Sequence, residues 1–427
     1  MTMPTSRRKF IQGAASAAAV SVTYLAGPSA NSAPSTSPAG PVSKPELDRI
    51  LNEPVLKTDF LKSPVTVASI ELLRNGKTFL LRARSTDGAS AITVPNSDRL
   101  ANIYPLLLNQ VIPVFVNQDA RKLESLLWDC YRYKDNYKYQ GLALWVCVAA
   151  VEMSLLELMG QTAKRPLADF FGGTLRSDIP IYTASGVRGN TPEAEIEHLQ
   201  KLVAESGAKA LKFRLGGRMN RNVDSLPGRT EALIPLVRKT FGDDFTLYAD
   251  ANSSYDVENG IRIGKLMEAH NYAFYEEPVP FDEIWECKQV ADALTIPIAL
   301  GEQEFSLRRF QWCIQNRAAD IMQPDLHYFG GYIRSTKVAR MSAAAGMKVV
   351  PHMSGGSLGY LDLVHFASFT PNIGPFMEFK GNADIPVHCA TSSLKAENGI
   401  VRCPTGPGFG VTLDPDFIAK AQPVTTT

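Results

Sequence analysis

The chain has 427 residues, 45% hydrophobic and 20% charged, with a formal net charge of +1. That length accommodates two or three domains and a large core, and near-neutral charge gives no electrostatic case for a nucleic-acid partner. No uncharged apolar run beyond the N-terminus is long enough to span a bilayer.

Residues 1–33 differ from the rest. Ser6-Arg7-Arg8-Lys9-Phe10-Ile11 precedes an Ala-rich, weakly apolar run from Gly13 to Ala26, then small residues to Ala33. A charged start, a short apolar middle and a small-residue end describe an export signal. The paired arginines resemble a twin-arginine signal, so a periplasmic location is expected, with cleavage between Ala26 and Ala33. The Pro-, Ser- and Ala-rich stretch that follows reads as a linker over 34–57. Six widely spaced cysteines form no C-x-x-C pair and read as buried free thiols.

From Val65 to Arg84 the alternation predicts two strands turning at Asn75-Gly76. A polar loop runs through Asp87 to Asn96. Residues 97–130 and 140–171 have helical spacing, the second stretch stopping at Gly172-Gly173. Residues 58–178 therefore read as an α+β domain. After Asp178, eight short apolar runs (IPIYTA, ALKFRL, FTLYAD, AFYEEP, IPIALGE, ADIMQPD, KVVPH, PFMEF) alternate with amphipathic helical stretches. That alternation predicts a (β/α)7-8 TIM-type barrel over 179–384, followed by a C-terminal segment, 385–427.

Asp250, Glu276, Glu302, Asp325, His352 and Glu378 follow one another at intervals of 23 to 27 residues, the length of one β/α unit. Each thus falls at the C-terminal end of its strand, the rim where barrel enzymes carry their active sites. Three carboxylates aimed at one point repel each other unless a hard divalent cation neutralises them. Asp250, Glu276 and Glu302 are therefore candidate Mg²⁺ ligands. Asp325 and His352 on neighbouring strands suit a carboxylate that orients a basic imidazole. Lys212 and Arg214 alternate on the second strand, so both face the interior.

ALKFR, YADAN, YEEP, GEQ, QPD, VPH and MEF together resemble the mandelate racemase subgroup of the enolase superfamily over about residues 60–415. The resemblance implies abstraction of the proton α to a carboxylate. It assigns Mg²⁺ to Asp250, Glu276 and Glu302, and the base dyad to Asp325 and His352. Lys212 would neutralise the substrate carboxylate, Glu378 would donate a hydrogen bond or proton to it, and Asn252 would contact substrate. It also implies that the N-terminal domain and residues 385–416 cap the barrel mouth, with 87–96 as the capping loop.

Two positions depart from the family pattern. The usual second lysine is Arg214, a poor base because a guanidinium stays protonated. Position 252 is Asn, not the His that protonates the leaving group in some dehydratases; Tyr182 is a candidate acid. A single base favours dehydration of a sugar acid to a 2-keto-3-deoxy acid. A racemase, epimerase or cycloisomerase of the same superfamily ranks next, and an exported sugar-acid-binding protein without turnover third. The expected partner is a small carboxylate, with a homo-oligomer as the assembly and no membrane contact after signal removal. The basic-aromatic run Tyr131–Tyr139 reads as a solvated face. His198, His270, His327, His365 and His388 are expected to lack comparable partners.

Overall fold

The computed structural model describes residues 42–426; the expected export signal and the first part of the linker lie outside them. Residues 44–52 of that linker form a helix, α1 (Lys44–Asn52), which corrects the linker reading there. Ser43 accepts from the Glu46 amide at 3.3 Å, Pro45 lies in the first turn, and Leu47, Ile50 and Leu51 are buried at helical spacing. The Pro- and Ser-rich composition around it hid that stripe. α1 lies on the outer wall of the barrel, where Asp48 accepts from Gln311 (2.9 Å) and the Leu51 carbonyl from Lys337 (2.8 Å).

The hairpin forms as expected. β1 (Val67–Asn75) and β2 (Thr78–Ser85) pair antiparallel with Asn75 opposite Thr78. β3 (Ser90–Thr93), inside the expected polar loop, adds to β2. The single helical stretch expected at 97–130 is divided after Phe115: α2 (Ser97–Leu106) runs through a π-helical turn, Leu107–Val111, into α3 (Ile112–Phe115), and α4 (Leu123–Arg132) is separate. Pro105 and Pro113 each remove a backbone donor, and Asn117 turns the chain at φ +62°. α5 (Leu142–Ala163) is apolar and long enough to cross a membrane, but it is the core helix of this domain and is buried along almost all its length. It ends at left-handed Lys164, earlier than expected; Gly172 stops a separate short turn, Leu167–Phe171.

The barrel follows. Its strands are β4 (Asp178–Ala184), β5 (Ala210–Arg214), β6 (Thr246–Asp250), β7 (Phe274–Glu276), β8 (Ile298–Leu300), β9 (Ile321–Met322), β10 (Lys348–Val349) and β11 (Met377–Phe379). Successive connections carry α6 (Pro192–Ser206), α7 (Arg229–Phe241), α8 (Val257–Ala269), α9 (Ile284–Ala293), α10 (Leu307–Asn316), α11 (Tyr332–Ala344) and α12 (Gly359–Phe369). Neighbouring strands from β4 to β10 are parallel, and β11 lies beside β4. The Gly374 amide donates to Val349 (2.9 Å), which brings β10 round to the turn before β11. This is a TIM-type barrel of eight strands and seven helices.

The C-terminal segment divides. Gln422–Pro423 pairs with β1 and so rejoins the N-terminal domain. Ile400–Arg402 instead pairs with Asp178–Pro180, the N-terminal half of β4. That is the end opposite the mouth, which corrects the expectation that all of 385–416 caps the site. The two domains are also pinned through Glu152 on α5, whose carboxyl Oε1 accepts from the Ile333 amide at 3.1 Å in the first turn of α11. Gly331 makes room for it: a Cβ there would lie 2.2 Å from the Glu152 oxygen. Burial, only partly opposed by the Ile333 amide, raises the Glu152 carboxyl to about 8.

Candidate active site

Strand register places the carboxylates. Arg214 pairs across to Asp250, and Asp250 to Glu276, so β5, β6 and β7 end at one level. Asp250, Glu276 and Glu302 are all buried, and each offers an oxygen within 4.8 Å of the others. Three buried carboxylates at that spacing fit a hard divalent cation.

Lys212 lies 2.8 Å from Glu276 Oε2 and 3.0 Å from Glu378 Oε1. Burial would lower its ammonium, but the two carboxylates outweigh that and raise it. Arg214 is ion-paired with Asp250. Gln323 donates to Glu276 at 2.9 Å. Burial would raise the Glu302 carboxyl, yet His352 and Arg214 hold it at about 2. Its neighbour in space, Glu277, goes the other way. Burial, then the charges of Glu302 and Glu276, push Glu277 well above the carboxylate range, so it holds its proton. The rim backbone is left-handed at Asn252 (φ +41°), Ser253 (φ +63°) and Glu277 (φ +41°), unusual for residues other than glycine.

The dyad forms. His352 Nδ1 lies 2.7 Å from Asp325 Oδ2. The other Asp325 oxygen accepts from the amides of His327 and Tyr328, each at 2.9 Å, and from the Ser354 hydroxyl at 2.8 Å. A carboxylate so held fixes the imidazole through Nδ1 and points Nε2 toward the cavity. Nε2 lies 3.2 Å from Glu302 Oε2 and 3.3 Å from Lys380 Nζ. The N-terminal domain reaches this dyad. Asn96 donates to Ser354 at 3.1 Å, and Arg99 to the Tyr328 hydroxyl at 3.2 Å. The cavity above holds about 710 Å³; Arg99, Arg218, Tyr328, His352, Ser354 and Lys380 are among its walls.

Several expectations change. Glu378 does not act as a donor here: it accepts from the Met353 amide at 2.7 Å. Burial would raise its carboxyl, but Lys212, Lys380 and His352 hold it well below the usual range, so it is ionised. Tyr182 is fully buried, packed edge-on to Tyr248 at 5.1 Å, and does not line the cavity. Asn252 sits inside the charged cluster with both ends of its amide engaged, Oδ1 by Arg188 and Arg214 and Nδ2 by Glu302. His327 and His388 do have carboxylate partners: Nε2 of His327 lies 2.9 Å from Asp362, buried behind the dyad, and Nε2 of His388 lies 3.6 Å from Asp414 at the surface. All six cysteines are free, and only Cys389 is not fully buried. In the basic-aromatic run, Arg132 and Lys138 pair with Asp129 and Asp135 at the surface.

The sequence reading missed Lys380, Gln323, Glu277, Arg99 and Arg188. Lys380 and Gln323 carried a signal, each lying two residues from a named site residue and therefore on the same face of its strand. Arg99 and Arg188 lie off the strands, where no local period marks them.

The model of the "Enolase C-terminal domain-like" family matches residues 194–417. The arabinonate dehydratase of Saccharolobus solfataricus is 26% identical over 304 residues, covering 70% of this chain and 78% of that protein. The 3,6-anhydro-alpha-L-galactonate cycloisomerase of Streptomyces coelicolor is 25% identical over 368 residues, covering 84% and 96%. A solved structure from Roseobacter denitrificans, described provisionally as a racemase, is 33% identical with a TM-score of 0.77, covering 84% of this chain and 99% of that one. With the barrel, the acidic triad and the rim dyad already in place, the chain belongs to the enolase superfamily, in its mandelate racemase-like subgroup.

Proposed function

We propose that the protein is a Mg²⁺-dependent sugar-acid dehydratase that removes the proton α to a carboxylate and eliminates the β-hydroxyl. One observation carries this reading: a single oriented base, His352, faces the acidic triad, while the opposite family position is an arginine already ion-paired with Asp250.

A cation held by Asp250, Glu276 and Glu302 would supply Lewis-acid charge to the substrate carboxylate. Lys212, kept cationic by Glu276 and Glu378, faces the same group. His352 Nε2 takes the α-proton, and Asp325 stabilises the imidazolium that results. The carbanion's charge passes to the carboxylate oxygens, where Lys212 opposes it. The imidazolium then returns its proton to the β-hydroxyl on the same face, water departs, and the enol tautomerises to the 2-keto-3-deoxy acid. Arg214 cannot reprotonate the other face, because a guanidinium does not give up its proton in proteins.

Cycloisomerisation is the second reading, favoured by the presence of cycloisomerases among the relatives, since it begins with the same proton abstraction. Assaying the Mg²⁺-loaded enzyme against a panel of aldonic and aldaric acids and their lactones separates the two. Release of a 2-keto-3-deoxy acid is expected. Turnover of lactones alone, or of no sugar acid, overturns the dehydratase reading.

A further inference from the structure

A second cluster of like charges sits beside the first. Arg188, on the loop after β4, donates to the same Asn252 Oδ1 as Arg214 at the end of β5, and Arg218, on the loop after β5, shares the cavity wall with Arg214. The three guanidiniums interact: burial, then the charges of Arg214 and Arg218, push Arg188 down to about 9. Among the described residues, neither Arg188 nor Arg218 has a carboxylate within ion-pair distance, and the buried Nε of Arg188 has no hydrogen-bond partner. The anions that serve the group are Asp250, ion-paired with Arg214, and Glu302, which acts on Arg188 and Arg214 through space, and both are candidate metal ligands.

The arrangement is built. Arg229, fully buried at the start of α7, donates to the Asn190 carbonyl and to the Arg214 carbonyl, both at 2.8 Å. It thereby staples the loop carrying Arg188 to the strand end carrying Arg214. Ser225 holds the same loop through the Arg188 carbonyl at 2.7 Å. Arg218 is seated by its own amide, which donates to Ser254 at 3.0 Å, in a left-handed turn (φ +56°) on the cavity wall. Two guanidiniums on one acceptor with a third, exposed, beside them leave an excess of positive charge facing the cavity. Once a metal draws on Asp250, a carboxylate from outside the chain is the missing charge. Guanidinium forks match carboxylate geometry bidentately.

We infer that the substrate carries a second carboxylate, bound against Arg188, Arg214 and Arg218, so that the enzyme acts on sugar diacids in preference to monocarboxylic sugar acids. The inference rests on the proposed reading that the reacting carboxylate lies at the acidic triad and Lys212.

The test compares matched six-carbon acids, galactarate against galactonate and glucarate against gluconate, on the Mg²⁺-loaded enzyme. The kcat/KM ratio of the preferred diacid to its monoacid should be at least about 10², because a site built for a polar group rejects analogues that lack it. Arg188→Gln and the exposed Arg218→Gln should each cut that ratio about tenfold or more. Calorimetric binding to the His352→Asn protein with Mg²⁺ gives the same comparison without turnover. Equal or tighter binding of the monoacids, a ratio unmoved in both arginine variants, or preference for a phosphorylated monoacid overturns the inference. Diacid-selective binding with no water elimination would refute the dehydratase reading alone; elimination from monoacids without diacid preference would refute this one alone.

Discussion

The ammonium of Lys380 lies 3.3 Å from Nε2 of His352, 3.4 Å from Glu378 and 2.8 Å from the Met353 carbonyl. In the proposed mechanism it sits where the α-proton arrives and the hydroxyl departs. A cation there opposes negative charge as it develops. Lys380→Met should lower kcat by roughly 10²-fold while leaving the melting temperature within a degree or two, since the side chain is partly exposed. Unchanged kcat would remove Lys380 from the reaction.

His352 is the only base that the proposed mechanism uses. His352→Asn should reduce elimination by about 10²–10⁴-fold and abolish α-proton exchange in heavy water, followed by NMR. Asp325→Asn should act in the same direction through the lost tautomer. Wild-type enzyme that interconverts two epimers, with deuterium in the inverted product, would sink the one-base reading.

Glu276 links the acidic triad to Lys212 and Gln323. Glu276→Gln should weaken Mg²⁺ binding by at least tenfold in calorimetry, with an unchanged circular dichroism spectrum. Wild-type turnover should stop in excess chelator and return on adding Mg²⁺. Full activity in chelator would exclude the metal role.

Glu152 predicts a pH dependence of stability. Its folded carboxyl is raised from 4.5 to about 8, so the folded state keeps a proton that the unfolded state has lost between those values. Its contribution is fully present below about pH 4.5 and is lost as pH rises to about 8, at a slope of at most about 1.4 kcal/mol per pH unit. Urea titrations from pH 5 to 8 should show wild type losing stability relative to Glu152→Gln. Parallel curves would mean that Glu152 is ionised in the fold.

Export is proposed from Arg7-Arg8 and the modest apolar run after them. Replacing both arginines by lysine should strand folded, metal-loaded protein in the cytoplasm, as judged by cell fractionation. Unchanged export would leave a different route in place.

The barrel and its rim residues were legible in the sequence because a β/α unit has a nearly fixed length. Asp250, Glu276, Glu302, Asp325, His352 and Glu378 recur at that interval, and parallel register converts equal intervals into equal height. Even α1 had its stripe and cap written locally, though composition obscured them. What local pattern does not encode is the state of a charge, since that depends on which other strands and loops arrive beside it. Glu276 and Glu277 are neighbours in the chain, yet one meets Lys212 and the other a buried site next to Glu302, which keeps it protonated. Glu378 could be read as a proton donor until Lys212 and Lys380 were seen to hold it ionised. Arg188 and Arg218 are 30 residues apart on different loops, and only the folded barrel, stapled by Arg229, brings them against Arg214.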